Sequence, residues 1–255
     1  MIGLHDLSKT YDDVKVVDRL DLQIERGELV VLLGGSGCGK TTTLKMVNRL
    51  VEPSSGGVTI DGRPTAELPP HELRRRIGYC FQQVGLFPHM TVGENVAITP
   101  RLLGWQGHKI AARVDELLAV MELEPSQFRD RRPSQLSGGQ AQRVGLARAL
   151  AAQAEILLLD EPFGALDPII RDRLQTFFSD LCRRLGLTVL FVTHDMVEAL
   201  LLADRIAVMS DGRFLQIGPP AELLSKPAHP IVTELMSTPR RHAGIVDDLL
   251  ERADG

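Results

Sequence analysis

The hydrophobic positions of this chain change their period several times, and each change predicts an element. Residues 1 to about 30 alternate apolar and polar like short strands, with Glu25-Arg26-Gly27-Glu28 as a turn, and predict an antiparallel edge. The alternation gives way to uninterrupted apolar runs at Leu29-Val30-Val31-Leu32-Leu33, Ile77 to Phe81, Ile156-Leu157-Leu158-Leu159 and Leu187 to Val192. Such runs fit strands buried on both faces of a parallel sheet. Between them the spacing turns helical over Thr42 to Leu50, Pro69 to Arg76 and Pro168 to about Leu185, and in the stripe Ile110, Val114, Leu117, Leu118 and Met121. Strands alternating with helices predict an α/β fold with a mostly parallel sheet.

Punctuation sets the boundaries. Pro53-Ser54-Ser55-Gly56-Gly57 ends the helix that begins near Thr42, and Val58-Thr59-Ile60-Asp61-Gly62 reads as a strand and turn. Ser210-Asp211-Gly212-Arg213, between Arg205 to Met209 and Phe214 to Ile217, is a hairpin signal. Asp195 stands where a helix cap is needed, and Pro219 to Leu224 and Ile231 to Met236 predict closing helices. The chain divides into a domain over 1–238, containing a helical subdomain at about 86–150, and a tail over 239–255. The tail holds one apolar cluster, Ile245, Val246, Leu249 and Leu250, and either docks as a terminal helix or stays mobile.

Chemistry enters at the end of the first apolar run. Gly34-Gly35-Ser36-Gly37-Cys38-Gly39-Lys40-Thr41 has the form Gly-x4-Gly-Lys-Thr, and it sits between a strand and a helix, as a phosphate-binding loop requires. The glycines let backbone N–H groups close on phosphate oxygens, and the helix N-terminus adds its positive dipole end. Lys40 reaches the β and γ phosphates as a point charge, the Thr41 hydroxyl is placed to ligate Mg²⁺, and Thr42 completes the cradle.

A second constellation follows the run Ile156 to Leu159, which ends directly in Asp160-Glu161. Ligands of open α/β sheets sit outside the carboxyl ends of the strands, so both carboxylates should emerge where the phosphate loop does. Asp160 then holds Mg²⁺ directly or through water, and Glu161 orients and deprotonates an attacking water.

In their order and context these motifs resemble the nucleotide-binding subunit of an ATP-binding cassette transporter, over residues 1 to about 236. Leu136-Ser137-Gly138-Gly139-Gln140 matches that family's signature letter for letter. The resemblance implies further roles. Tyr11 stands where an aromatic stacks on adenine, and Gln82 where a glutamine senses the γ-phosphate and Mg²⁺ site and the membrane partner. Gly164-Ala165-Leu166-Asp167 matches the loop that crosses the dimer interface, and His194 the switch histidine. The implied fold is a phosphate-loop NTPase core with an N-terminal antiparallel β subdomain and a helical signature subdomain. The implied activity is hydrolysis of ATP with Mg²⁺ between two copies of the chain, the signature of each meeting the γ-phosphate held by the other. The implied partners are transmembrane permease subunits, received around Gln82 to Met90, and indirectly a substrate-binding protein. The implied location is peripheral, on the cytoplasmic face of the inner or plasma membrane, held by the permease.

Ser137, Gly138 and Gly139 also have a reading of their own. They open the pattern Ala141, Val144, Leu146, Ala147, Leu150, a one-sided helix whose N-terminus with an exposed serine is an anion site. Finer stretches resemble the ATPases of osmoprotectant importers, which carry glycine betaine, choline, carnitine or related quaternary amines. They are Thr41 to Leu50, Leu73 to Ala97, Arg101-Leu102-Leu103-Gly104-Trp105, and Phe163 to Gln175. Some of those relatives continue into regulatory sensing modules, and this chain is expected to lack them. The alternatives are an importer of another small solute, or a soluble cassette ATPase without a transport role.

Composition narrows the field. A hydrophobic content of 44% over 255 residues supports a sizeable core, and a net charge of −4 argues against a nucleic-acid partner. No apolar run approaches the roughly 18 residues of a membrane span. The N-terminus, with Asp6, does not read as a secretory signal. Cys38, Cys80 and Cys182 are odd in number and lack metal-ligand spacing, which fits a reducing compartment. Cys38, at a helix N-terminus among amides, is expected to ionise readily and to react with alkylating agents unless ATP protects it.

Overall fold

A computed structural model describes residues 1–81 and 85–237 of the chain. Gln82 and the tail over 239–255 lie outside the described residues.

The uninterrupted apolar runs become four neighbouring strands of a six-stranded sheet, with the Ile77 run at its edge. Leu29–Gly34 (β3), Ile77–Cys80 (β6), Ile156–Asp160 (β7) and Thr188–Thr193 (β8) are joined by Arg205–Ser210 (β9) and Arg213–Gly218 (β10), in the order β10-β9-β3-β8-β7-β6. All pairings are parallel except the β9–β10 hairpin, as the signal at Ser210 to Arg213 predicted. Every residue of β3, β7 and β8 is buried, so neither face of these strands meets solvent.

The alternating N-terminal segment forms a separate antiparallel sheet, but its strands are long rather than short. Ile2–Tyr11 (β1) and Val14–Ile24 (β2) pair with Ser55–Ile60 (β4) and Arg63–Pro64 (β5) in the order β2-β1-β4-β5. Strand β4 begins at Ser55, inside the stretch read as ending the preceding helix and ahead of the Val58 start expected for it. Gly56 takes φ 72°, where it faces the backbone carbonyls of His5 and Asp6 so closely that a Cβ would collide with both. A glycine that reads as a breaker is here a bulge against β1, which shifts register between His5 and Ser8.

Lys40–Val47 (α1) lies between the sheets, and with the antiparallel sheet it closes the core containing Val30, Leu32, Leu158, Leu190 and Val192. Helix α1 stops before Leu50, the end expected for it. The other residues of the parallel strands, such as Leu29, Val31, Leu33 and Phe191, point into a second, larger core. That core is built by Val92–Leu102 (α3), Gly107–Val120 (α4), Gly138–Ala151 (α6), Pro168–Leu185 (α7) and Met196–Leu202 (α8). The stripe Ile110, Val114, Leu117, Leu118 and Met121 is buried there, as its spacing predicted. Short helices at Pro70–Arg75 (α2), Pro125–Phe128 (α5) and Pro220–Ser225 (α9) complete the elements, and residues 230–237 are helical. Among the described residues no helix is long and apolar enough to cross a membrane.

Parallel register brings the chemistry-bearing ends level. Leu33 pairs with Thr193, Gly34 with Met209, and Asp160 with Val192, so the residues just beyond β3, β7 and β8 leave the sheet at one edge.

Candidate functional site

The loop from Gly34 to Gly39 leaves β3 and turns into α1 through two left-handed glycines, Gly37 at φ 81° and Gly39 at φ 105°. Gly39 could not carry a side chain, because a Cβ there would come within 2.6 Å of the Val16 carbonyl oxygen. That approach sets β2 directly against the loop. Gly35, Ser36 and Gly37 are exposed, while Cys38, Gly39 and Lys40 are buried. A Cβ at Gly35 or Gly37 would meet nothing, so the loop's outer side is open.

Lys40 folds over this loop. Its ammonium donates to the carbonyl oxygens of Gly34 and Gly35, each at 2.8 Å. Thr43, one turn on, donates to the Gly39 carbonyl at 3.0 Å and anchors the start of α1. Thr42 is half-buried on the same helix. Cys38 is less available than its sequence position suggested, since it is only 8% exposed and its Sγ lies 3.7 Å from Lys40 Nζ.

Thr41 and Asp160 meet at this edge of the sheet. The Thr41 hydroxyl donates to Asp160 Oδ1 at 2.9 Å. Asp160 is almost fully buried, which pushes its carboxyl above the usual range, and the neighbouring Glu161 charge adds to this. The Thr41 hydroxyl and the ammonium groups of Lys45 and Lys40 act in the opposite sense. Hydroxyl and carboxylate oxygens beside an open phosphate loop suit a hard divalent cation such as Mg²⁺. No cluster of three His, Cys, Asp or Glu side chains forms among the described residues, so such an ion would also need phosphate oxygens or water. Gln82, the other metal-ligand candidate, lies outside the described residues.

Glu161 begins the turn after β7 in a left-handed conformation, φ 48°, held by its N–H donating to the Val192 carbonyl at 2.9 Å. A non-glycine residue adopts this only where surrounding structure imposes it. Its Oε1 lies 3.0 Å from His194 Nδ1, so the two candidate catalytic groups from adjacent strands are in contact. Asp195 caps α8 through the N–H groups of Val197 and Glu198, which fixes the direction in which His194 leaves β8.

The signature turn is formed on the N-terminus of α6. Ser137 and Gln140 make a capping box at the start of α6, with bonds of 3.0 and 3.3 Å, and Gly138 and Gly139 form its first turn. Leu136 packs against the larger core. Among the described residues no hydrogen bond joins residues 136–140 to residues 34–41. The loop Gly164 to Asp167 is exposed apart from Leu166, and Asp167 caps α7 through the Ile170 N–H at 3.0 Å. Tyr11 is exposed at the tip of the β1–β2 hairpin, with the Lys9 ammonium 4.9 Å from its ring centroid.

Two residues matter that the sequence did not single out. Gln142, buried on α6, bonds both ends of the turn from Glu161 to Ala165. Asn95, fully buried on α3, bonds the backbone of Phe87, Met90 and Thr91 and so shapes the loop after the undescribed segment. Gln142 lies within the helix predicted after the signature and Asn95 only within the expected helical subdomain, and neither carried a signal beyond an amide among apolar positions. Beside that loop lies an apolar groove of about 490 Å³, lined by Leu50, Tyr79, Phe81, Phe87, Ile98 and Leu102. Four of these, Leu50, Phe81, Phe87 and Leu102, are exposed.

The sequence profile of the ABC transporter family matches residues 17–164, which takes in the phosphate loop, the signature, Asp160 and Glu161. The chain belongs to the ABC transporter family. Within it, this ATP-binding cassette is 51% identical over 94% of its length to the glycine betaine/carnitine/choline transport ATP-binding protein OpuCA of Bacillus subtilis (strain 168). It spans 63% of that relative's length. It is 46% identical over its whole length to the glycine betaine uptake system ATP-binding protein YehX of Escherichia coli (strain K12), covering 85% of it. Its fold is similar to a dimeric post-hydrolysis structure of the ATP-binding cassette MJ0796 bound to ADP and Pi. The TM-score is 0.81 and the identity 35%, over 86% of this chain and 99% of that one.

Proposed function

We propose that the chain is the ATP-hydrolysing subunit of an importer for osmoprotectants such as glycine betaine, choline or carnitine. It acts as a pair of copies that hold ATP between the phosphate loop of one and the signature of the other. The observation that carries this reading is the meeting of Thr41 with Asp160 and of Glu161 with His194 at one sheet edge, beside the open loop. The identity to glycine betaine and choline transport proteins supports the cargo class.

In this reading the exposed amides of Gly35 to Gly37 and the Lys40 ammonium bind the phosphates, Lys40 exchanging its carbonyl partners for phosphate oxygens. Thr41 and Asp160 hold Mg²⁺, with Gln82 as a further ligand. An ion held by these residues would neutralise phosphate charge. Glu161 accepts the proton of the attacking water, and His194, through its contact with Oε1, orients that carboxylate and steadies the water. Tyr11 stacks on the base. Hydrolysis removes the charge contacts that join the copies, and the pair opens. The cassette comprises 1–238 with its helical subdomain at about 86–150.

The apolar groove from Leu50 to Leu102 receives a segment of the permease, which holds the chain on the cytoplasmic face of the membrane and, through it, links to a substrate-binding protein. The test is the oligomeric state of Glu161→Gln by light scattering, with and without ATP and Mg²⁺. A nucleotide-dependent dimer is expected. A monomer that binds ATP tightly, alone and with the permease, would overturn the sandwich. Uptake of quaternary amines by the reconstituted importer tests the cargo, and failure to transport any of them would remove it.

A further inference from the structure

Gln142 is 3% exposed and sits one turn into α6, on the same side of the helix as Gly139. Its Nε2 donates to the Glu161 carbonyl oxygen at 2.8 Å, and its Oε1 accepts from the Ala165 N–H at 2.7 Å. One carboxamide therefore clamps both ends of the turn that starts at the candidate base and leads into the exposed loop ending at Asp167. Only one orientation of the amide satisfies both bonds, which settles which atom is donor and which acceptor.

Three features make this clamp more than a core hydrogen bond. The turn it spans opens with Glu161 in a left-handed conformation, φ 48°, which relaxes unless something holds it. Within the turn itself the bonds are weaker, Gly164 N–H to Glu161 O and Leu166 N–H to Phe163 O both at 3.2 Å. Gly139, in the signature, packs so closely that a Cβ there would come within 3.2 Å of the Ala165 carbonyl oxygen. The first turn of α6 and the Glu161 turn thus fit together as one body, with the signature serine at its outer end.

We propose that Gln142 is a positioning residue that makes the orientation of Glu161 depend on the nucleotide lying against the signature of the same chain. This rests on the sandwich reading, in which that nucleotide belongs to the opposite site. Nucleotide contact at Ser137 and Gly138 orders the start of α6, and Gln142 passes that order to the Glu161 turn. Each site then completes its base only when the other site is filled, and hydrolysis becomes cooperative in ATP.

The test compares the full chain with Gln142→Met, similar in length but unable to make either bond. Initial rates of hydrolysis are measured across ATP concentration with excess Mg²⁺, alongside ATP affinity by calorimetry and thermal melting. The expected result is a fall in kcat on the order of 10- to 100-fold from a misplaced base. The KM and calorimetric affinity should stay within about twofold, and the Hill coefficient should fall toward one. If the methionine variant does not fold, Gln142→Glu, which keeps an acceptor for Ala165 and sets oxygen against oxygen at Glu161, should give the same split. Unchanged kcat and cooperativity would overturn the proposal, as would losses of kcat and affinity that follow melting temperature. A wild-type chain that binds ATP but does not hydrolyse it, alone or with its permease, would overturn the functional reading and this inference with it.

Discussion

His194 Nδ1 and Glu161 Oε1 lie 3.0 Å apart, although the two residues come from different strands and lie 33 positions apart in sequence. The contact exists because β7 and β8 run parallel in a register that pairs Asp160 with Val192. Residues one and two positions beyond that pair leave the sheet side by side. A general base oriented by a second group works as a unit, so removing either should cost much the same as removing both. Glu161→Gln is expected to lower turnover by about 10²- to 10⁴-fold while retaining ATP binding. Combined with His194→Ala it should fall little further. Steady-state rates of the two single variants and the double variant check this, and fully multiplicative losses would show that the two side chains act separately.

Asp160 is the carboxylate proposed to hold the cation. It is 2% exposed and shares its Oδ1 with the Thr41 hydroxyl. Burial disfavours its charge, and a divalent ion bound there would restore it. Asp160→Asn keeps an oxygen for Thr41 and removes the charge. Its ATP affinity with Mg²⁺ should fall by at least about 10-fold, by analogy with disturbed ligand sets, while affinity in EDTA stays near the wild-type value. Calorimetric titration under both conditions reads this directly, and an equal loss in both would remove Asp160 from the ion site.

Much of this architecture is written in local patterns. The β7 run ends at Asp160 and the α7 start at Pro168 lies where Asp167 offers a cap, so both were legible residue by residue. The extent of β1 and β2 was not, because they carry charged and left-handed residues such as Asp6 and Arg19 at bulges that break the alternation. Pairing across the sheet, which no local pattern encodes, keeps those strands continuous. The site divides in the same way. Glycine, lysine and carboxylate positions stand out as candidates by type and order, whereas Gln142 and Asn95 bond backbone groups distant in sequence. Only the folded arrangement reveals what an amide on an apolar face is for.

Glu198 gives the fold a pH signature. It is 5% exposed on α8, and Gln175 of α7 donates to its Oε1 at 2.9 Å. Burial raises its carboxyl above the usual range, and the bonds from Thr193 and Gln175 only partly offset this. A carboxyl with a raised folded-state pKa binds its proton more tightly in the native state. It therefore lowers stability as pH climbs from the ordinary glutamate range through the raised value. Glu198→Gln mimics the protonated form and keeps the acceptor. It is expected to raise Tm at pH 7 by about 2–4 °C, the shift that roughly 1 kcal/mol produces in a domain of this size. The gain should vanish once pH drops below the ordinary glutamate range. Melting curves across pH test this, and a gain that persists undiminished at acid pH would mean that the effect is not ionisation.

Cys38 offers a chemical handle on the phosphate loop. Its thiol is nearly buried against the loop, and a Cβ at Gly34 would come within 2.8 Å of its Sγ, so no reagent fits without the loop opening. Its Sγ lies 3.7 Å from the Lys40 ammonium, inside the space where the phosphates are proposed to bind. Burial pushes the Cys80 and Cys182 thiols up to about 12, which leaves both protonated and inert. Iodoacetamide should therefore modify Cys38 first, slowly, and the adduct should abolish ATP binding because the loop cannot close around it. Saturating ATP should slow the reaction further by holding the loop shut. Cys38→Ser should bind ATP and be indifferent to the reagent. Mass spectrometry of the labelled chain, with ATP titrated before and after, reads all of these outcomes. A stoichiometric Cys38 adduct that still binds ATP normally would show that this thiol lies outside the space the phosphates need.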